Sequence, residues 1–301
     1  MKYTLLVTCG TSILNNAARD ANSKSKPESL SDQTYNRLVE INKEYDLARL
    51  ARLDPGSIED REIRDNHTHS GSRIYQTLID YIKERGGKDA SAEINTIELL
   101  IYEHKMLASD IDNIFLYHSD TGSGMLCAKI MEEYLRSKGL NSQRIEITGF
   151  SSAKTLDQFQ EGMMRLMSKV VEMVKRRKRG EYKDGSGKVY VLATAGFKPE
   201  STAAVIAALL AGADGIYYVY EGTRELVMIP PIPLALDERV TRYIDSIFGS
   251  DYRKDKPIDA ILEHGIDNSI IDMLEERGLI ERKGDLANKI RLRGWVVELL
   301  G

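Results

Sequence analysis

The chain of 301 residues is 42% hydrophobic and 29% charged, which provides material for a substantial core and excludes a disordered or fibrous protein. Its 42 basic residues stand against 46 acidic ones, so the formal net charge of −4 does not favour duplex nucleic acid as a partner of the whole molecule. The sequence has only two cysteines, Cys9 and Cys127, and no apolar signal or membrane-spanning run, so we expect a cytoplasmic protein without disulfides or membrane contact.

Short β-rich runs alternate with longer helical patterns along residues 1–235. The runs are apolar on both faces, which is typical of buried parallel strands. They lie at 4–8, 114–118, 145–148, 189–194, 216–220 and 226–230. Apolar residues at helical spacing predict helices over 124–139, 154–180 and 199–213. This alternation indicates an α/β fold with a mainly parallel, Rossmann-like sheet.

Residues 17–109 interrupt the alternation with charged helical patterns and no convincing strand. We interpret this segment as a helical insertion that covers one face of the sheet and could extend over the ligand crevice. His67 and His69 alternate in a loop there, but no nearby Cys or carboxylate spacing completes a metal site. The two histidines are therefore interpreted as surface-loop residues.

The composition changes after the prolines at 230, 231 and 233, which end the sheet. We predict a main domain over 1–235, a connecting helix over 236–250 and a small domain over 251–301. The small domain has a helix, a turn, a second helix and two β-like runs, which resembles a winged helix-turn-helix.

The charges of two segments argue against DNA binding. Residues 251–301 contain nine basic and eleven acidic residues, a net charge of −2, and the second helix is acidic where phosphate contacts would be needed. A packing or dimerisation module is favoured. The basic run 175–180 ends a long helix, where cations suit the helix dipole, so we interpret it as a solvated terminus.

Three strand-to-helix turns are rich in glycine and hydroxyl residues: 10–12, 119–124 and 195–200. Ligands of open α/β sheets bind beyond the carboxyl ends of the strands, and each turn is predicted to offer unpaired helix N–H groups to an anion. The candidate ligand-binding residues in these turns are Gly10, Thr11, Ser119, Asp120, Thr121, Gly122, Gly196 and Phe197.

Lys198 stands immediately before Pro199, a residue suited to the first position of a helix. A cation there opposes the helix dipole unless an anion is bound. The phosphate-binding, dinucleotide and serine-hydrolase fingerprints are absent, as are clustered carboxylates for a two-metal site. Cys9 ends a buried strand and is read as a core residue, and His118 as a strand-end residue bound by a neighbouring carbonyl.

The motifs GTS at 10–12, SDTGSG at 119–124 and TAGFKPE at 194–200, followed by a small-residue helix and IYYVYEG, together resemble a known family. Over roughly residues 1–235 the chain is similar to the CRISPR-associated Rossmann fold (CARF) domain, in the branch with the ring nucleases of archaeal type III CRISPR systems. The GFKPE stretch is the most specific part. A C-terminal winged-helix-like domain also occurs in this branch.

The resemblance implies a homodimer that binds cyclic oligoadenylate, usually the tetramer, across its two-fold axis. It further implies cleavage without a metal or other cofactor, which gives linear di-adenylates with 2′,3′-cyclic phosphate ends and switches off type III signalling. The family's functional pair corresponds to Ser12 and Lys198, which are therefore the expected catalytic residues.

The residue types agree with that chemistry. The ribose 2′-OH is the nucleophile, so the protein needs to align it and to stabilise the charge that grows on the phosphoryl oxygens. Ser12 would hydrogen-bond the phosphate or the 2′-OH, while Lys198 would neutralise the phosphorane and protonate the leaving 5′-oxygen.

Three other functions stay open at the level of sequence. The protein could be a ligand-controlled regulator whose winged helix binds DNA, or a protein that only sequesters the ring. A messenger-activated nuclease ranks last, because the 51 tail residues contain one histidine, His264, and no R-x-x-x-x-H motif.

Overall fold

The computed structural model describes residues 2–151, 155–181, 187–194, 196, 198–220, 222–284 and 286–301. The strands of its main sheet are β1 (Tyr3–Thr8), β2 (Ile111–Ser119), β3 (Ser142–Ile147), β4 (Lys188–Leu192), β5 (Gly215–Tyr220) and β6 (Glu225–Ile229). They lie in the order β3-β2-β1-β4-β5-β6, with β1 to β5 parallel and β6 antiparallel to β5. The predicted strands and the mainly parallel, Rossmann-like sheet are confirmed.

The insertion between β1 and β2 is helical, as predicted. Helix α1 (Ser12–Ala21) leads into it from β1. The following helices are α2 (Asp32–Tyr45), α3 (Leu47–Leu50), α4 (Ile58–Asn66), α5 (Arg73–Arg85), α6 (Gly87–Ala90) and α7 (Ala92–Glu103), with a 3-10 turn at Ala108–Asp110. All residues of this segment are described, and none of them forms a strand.

Two apolar cores flank the sheet because successive strand residues point to opposite faces. Leu5 and Val7 pack with the insertion helices and with α8 (Gly122–Ser137), whereas Leu6 packs on the opposite side. That side is covered by α9 (Leu156–Lys178) and α10 (Lys198–Ala211). The helices cover both faces, so the carboxyl ends of the strands are the place where a ligand can reach the sheet.

The C-terminal part begins with α11 (Glu238–Phe248) and has its own core. It continues with β7 (Lys256–Pro257), α12 (Ile258–Glu263), α13 (Asn268–Glu276), β8 (Ile280–Lys283), β9 (Lys289–Leu292) and α14 (Gly294–Leu300). The strands form an antiparallel sheet in the order β7-β9-β8, and α14 packs on α9. The predicted order of two helices and two strands is present, while the winged-helix assignment and the domain limits stay predictions.

No helix in the described part of the chain is both long and apolar enough to cross a membrane.

The basic run at the end of α9 differs from its prediction as a solvated terminus. Arg177 is fully buried and forms an ion pair with Asp112 at 2.8 Å, next to the start of β2. Lys178 pairs with Asp214 before β5. These two ion pairs thus attach the end of α9 to the sheet. Helical periodicity in the sequence cannot predict them, because both partners are distant in the chain.

Breaking the Arg177–Asp112 pair should strongly destabilise the fold. Asp112→Ala removes the carboxylate from a fully buried guanidinium, and we expect the free energy of unfolding to fall by about 3 kcal/mol. Urea unfolding followed by circular dichroism would measure it. Glu238→Ala breaks the exposed pair with Arg242 and should barely move the midpoint. Equal effects of the two variants would contradict the prediction.

Candidate functional site

A cavity of about 890 Å³ opens at the carboxyl ends of β1, β2 and β4. It lies where the strand order reverses between β1 and β4, the position at which open α/β sheets bind ligands. Its volume falls within the range of about 300–1,000 Å³ that is usual for small-molecule sites. The lining residues from the three predicted turns are Gly10, Thr11, Ser12, Ser119, Thr121, Ser123, Gly124, Gly196 and Glu200.

The first and third turns meet through two glycines. A Cβ atom on Gly10 would lie 2.8 Å from the backbone nitrogen of Gly196, closer than packed atoms allow. Gly196 itself has a φ of 102°, a conformation that side chains disfavour. Both positions therefore require glycine, and their contact brings Ser12 and the start of α10 to the same cavity.

Ser12 begins α1 and is held by the N-terminus of α7. Its hydroxyl donates a short hydrogen bond to Oε2 of Glu93, and its oxygen accepts one from the N–H of Ala92 at 3.0 Å. The first helical N–H of α7 is thus capped by a side chain of α1. Ser12 still lines the cavity, so it is fixed in orientation without being covered.

Glu93 is the functional candidate that sequence reasoning missed. Its side chain is buried, with 1% exposure, and its carboxylate oxygens accept hydrogen bonds from three groups. The N–H of Gly10 donates to Oε1 at 2.7 Å, and the hydroxyl of Ser91 donates to Oε2 at 2.7 Å, beside Ser12. In the sequence Glu93 looks like an ordinary acid in the first turn of a helix, so the pattern carries no signal of this role.

The second turn is only partly directed at the cavity. Ser119 and Thr121 line it and are joined by a hydrogen bond of 2.8 Å between their hydroxyls. The N–H of Gly122 instead donates to Asp60 of α4 at 2.7 Å, and the N–H of Gly124 donates to Thr121 at 3.1 Å. The expectation of unpaired N–H groups is therefore wrong for Gly122, whose N–H is bound by a carboxylate of the insertion, and for Gly124, whose N–H is bound by the hydroxyl of Thr121.

Asp120 is not among the described lining residues; its carboxylate fixes the loop at 149–151. Its carboxylate accepts the N–H groups of Gly149 at 2.9 Å, Phe150 at 3.0 Å and Ser151 at 2.8 Å. Burial alone would raise the pKa of Asp120, but these donors outweigh it and hold the pKa below its usual value. Asp120 thereby places Phe150 in the cavity wall.

Lys198 is exposed and is the first residue of α10, one position earlier than the predicted start at Pro199. It is not among the described lining residues, although Gly196 and Glu200 on either side of it are. Phe197 lies outside the described residues.

The remaining wall comes from the insertion, from the loop at 149–151 and from α9. Its larger apolar members are Leu53, Pro55, Phe150, Leu156 and Phe159. Arg52, exposed just after α3, is the one basic side chain among the described residues that line the cavity. The cavity therefore joins a hydroxyl-rich floor to an apolar side with one cation.

Two residues considered from sequence prove to be buried. Burial, followed by the charge of Glu93, raises the pKa of the Cys9 thiol well above its usual value, which confirms its assignment to the core. His118 is also buried, and its Nδ1 lies 2.8 Å from the carbonyl oxygen of Ser119, as expected from the sequence. Burial lowers the pKa of His118, so its neutral form is favoured.

The role of Asp120 gives a pH-dependent prediction. Asp120→Asn places an amide where three N–H donors need an acceptor, so the free energy of unfolding at pH 7 should fall by about 1–3 kcal/mol. Because the folded-state pKa is lowered, this stabilisation is complete above the unfolded-state pKa of about 4 and is lost as pH falls through the folded-state value.

Urea unfolding at pH 7 and pH 3 would test this, and the difference between wild type and Asp120→Asn should shrink at pH 3. Asp65→Asn, at an exposed position of α4, is the control. A difference that is the same at both pH values would disprove the assignment.

Comparison with known families bears on residues 88–232, which match the family model described as CRISPR-associated protein (Cas_APE2256). The matched segment is just under half of the chain and runs from α6 past β6. It contains Glu93, the second and third turns and Lys198, but not Ser12. The match supports a CRISPR-associated protein.

Proposed function

We propose that the protein is a ring nuclease of a type III CRISPR system, which binds cyclic oligoadenylate in the cavity and opens it by attack of a ribose 2′-OH. The tetramer is the proposed ring, and linear di-adenylates with 2′,3′-cyclic phosphate ends are the proposed products. The observation that carries the proposal is the cavity at the switch point, where the turns of Ser12 and Gly196 meet. The family match over residues 88–232 supports the proposal in its coarser part, a CRISPR-associated protein.

The cavity is suited to part of such a ring. Aromatic and aliphatic side chains on its apolar side could hold an adenine, and Arg52 could contact a phosphate. In the proposed homodimer each protomer needs to hold half of a symmetric ring, because an isologous interface presents the same turns twice. The cavity volume of one protomer is compatible with that share.

The reaction needs an aligned nucleophile and charge stabilisation. Ser12 would contact the reacting ribose from the floor of the cavity. Lys198, at the N-terminus of α10, would reach the phosphate from the rim, where the helix dipole also favours negative charge. Among the described residues no group of three or more His, Cys, Asp or Glu could hold a metal ion, and cleavage without a metal is part of the proposal.

The first test is incubation with labelled cyclic tetra-adenylate in excess EDTA. We expect cleavage by the wild type, and we expect Ser12→Ala and Lys198→Ala to reduce the rate about 100-fold or more, since each removes a contact to the reacting groups. Lys105→Ala, which lies outside the cavity lining, is the matched lysine control.

Three outcomes separate the functions considered. Cleavage lost in both variants and kept in the control supports the ring nuclease. Tight binding without cleavage by the wild type would instead indicate a sensor or a sequestering protein. Neither binding nor cleavage of any ring size would reject the proposal.

Arg52 gives a second prediction, on binding. Arg52→Ala should weaken the affinity for the ring about tenfold, because it removes the one basic group of the described lining. The affinity of the variant should also depend less on salt than that of the wild type. Fluorescence anisotropy with labelled ring would measure both effects. The neighbouring Arg49→Ala, which breaks an ion pair with Glu59, should bind like wild type; an equal loss in both variants would contradict the role of Arg52.

A DNA-binding regulator is less well supported. Several arginines of the C-terminal part already pair with acids: Arg282 with Asp272 and Glu275, Arg291 with Asp255, and Arg293 with Glu161 and Glu281. Phosphate contacts would have to compete with these pairs. A salt-dependent mobility-shift assay on promoter DNA distinguishes this function from the nuclease.

A further inference from the structure

We infer that the buried Glu93 is a positioning residue that makes Ser12 a hydrogen-bond acceptor for the attacking 2′-OH, rather than a donor to the phosphate. The inference deepens the proposed ring cleavage and rests on it. The two roles of Ser12 are equally open from the sequence, and the hydrogen bonds of the structure distinguish between them.

The hydroxyl proton of Ser12 is already donated to Glu93. A carboxylate can only accept, so the short contact between Ser12 Oγ and Glu93 Oε2 fixes the serine as donor. Hydrogen bonds to a charged acceptor are stronger than those between neutral groups, and this one is sheltered from water because Glu93 is buried. To donate to a phosphate, Ser12 would have to give up that bond.

The remaining capacity of Ser12 is as an acceptor. A hydroxyl oxygen has two lone pairs, and one of them receives the N–H of Ala92 at 3.0 Å. Ser91 Oγ lies 3.5 Å from Ser12 Oγ, but the Ser91 proton is donated to Glu93, so the second lone pair stays open on a residue that lines the cavity. A donor on the ligand can occupy this position, whereas a phosphate oxygen would meet a lone pair with a carboxylate behind it.

The ribose 2′-OH is the donor whose binding there would promote cleavage. As the 2′-oxygen attacks the phosphorus, its proton passes to Ser12 Oγ, and the former Ser12 proton passes to Glu93 Oε2. The bond between phosphorus and the 5′-oxygen breaks, and that oxygen takes a proton from Lys198, which regains one from solvent. The products are a 2′,3′-cyclic phosphate and a free 5′-hydroxyl, and Glu93 later releases its proton to solvent.

The groups around Glu93 are compatible with a charge that changes during the reaction. The pKa values of the thiols of Cys9, just after β1, and Cys127 on α8 are raised by burial first and by the charge of Glu93 as well, so both thiols stay neutral. The charge of Glu200 on α10 also raises the pKa of Cys9. No Lys or Arg of the described chain forms an ion pair with Glu93, whose partners are the N–H and O–H donors named above.

The test compares Glu93→Gln with wild type in steady-state cleavage of cyclic tetra-adenylate. We expect kcat to fall about 100-fold, KM to change less than about threefold, and the loss of activity at acid pH to disappear from the kcat profile. Affinity for the uncleavable 2′-deoxy ring should be kept, which shows that the cavity is intact. Glu98→Gln, on the same helix and bound to Tyr134, is the matched control.

The outcomes distinguish the relay from the function on which it rests. Suppose that wild type cleaves the ring. If Glu93→Gln then cleaves it equally well, or still loses activity at acid pH, the proton relay is wrong but the ring-nuclease proposal is kept. If wild type cleaves no cyclic oligoadenylate, both the relay and the ring-nuclease proposal are rejected. Should Glu93→Gln fail to fold by circular dichroism, Glu93→Asp retains the charge with a shorter side chain, and loss of kcat with retained 2′-deoxy-ring affinity would support the relay.

Discussion

A buried carboxylate connects the helical insertion to the sheet that it covers. Glu93 belongs to α7 of the insertion, yet it accepts hydrogen bonds from Gly10 and Ser12 at the end of β1. A charge removed from water is tolerated only when donors surround it, so the positions of these groups depend on one another. The insertion therefore helps to build the cavity, because the first turn of α7 sets the orientation of the turn that follows β1.

The strand order decides where the cavity lies. In the sheet, β2 lies on one side of β1 and β4 lies on the other. The helices that follow β1 and β4, α1 and α10, therefore pack on opposite faces, and a gap opens between their N-termini. The close approach of Gly10 and Gly196 holds the two turns together across this opening. The backbone contact between these two glycines thus limits how closely Ser12 and the start of α10 can approach one ligand.

The electrostatics of the cavity limit what it can bind. Its described lining has one basic residue, Arg52, and three acidic ones, Asp54, Asp60 and Glu200. Asp60 is engaged by the N–H groups of Gly56 and Gly122, so its charge serves the fold. An anionic ligand would therefore depend on a few positions at the rim and on hydroxyl and N–H donors, which makes selective binding more plausible than general attraction of polyanions.

The sequence by itself determined the elements and their class. Continuous apolar runs identified the strands, helical spacing identified α8 to α10, and the absence of strand patterns in 17–109 identified the insertion. It also placed Ser12, Ser119 and Gly196 at strand ends, which a parallel sheet necessarily gathers at one edge. Only the tertiary structure decided what Glu93, Asp120 and Arg177 do. Their partners are distant in sequence, and a charged residue on a helix looks solvent-exposed until packing supplies the donor or counter-charge that makes its burial favourable.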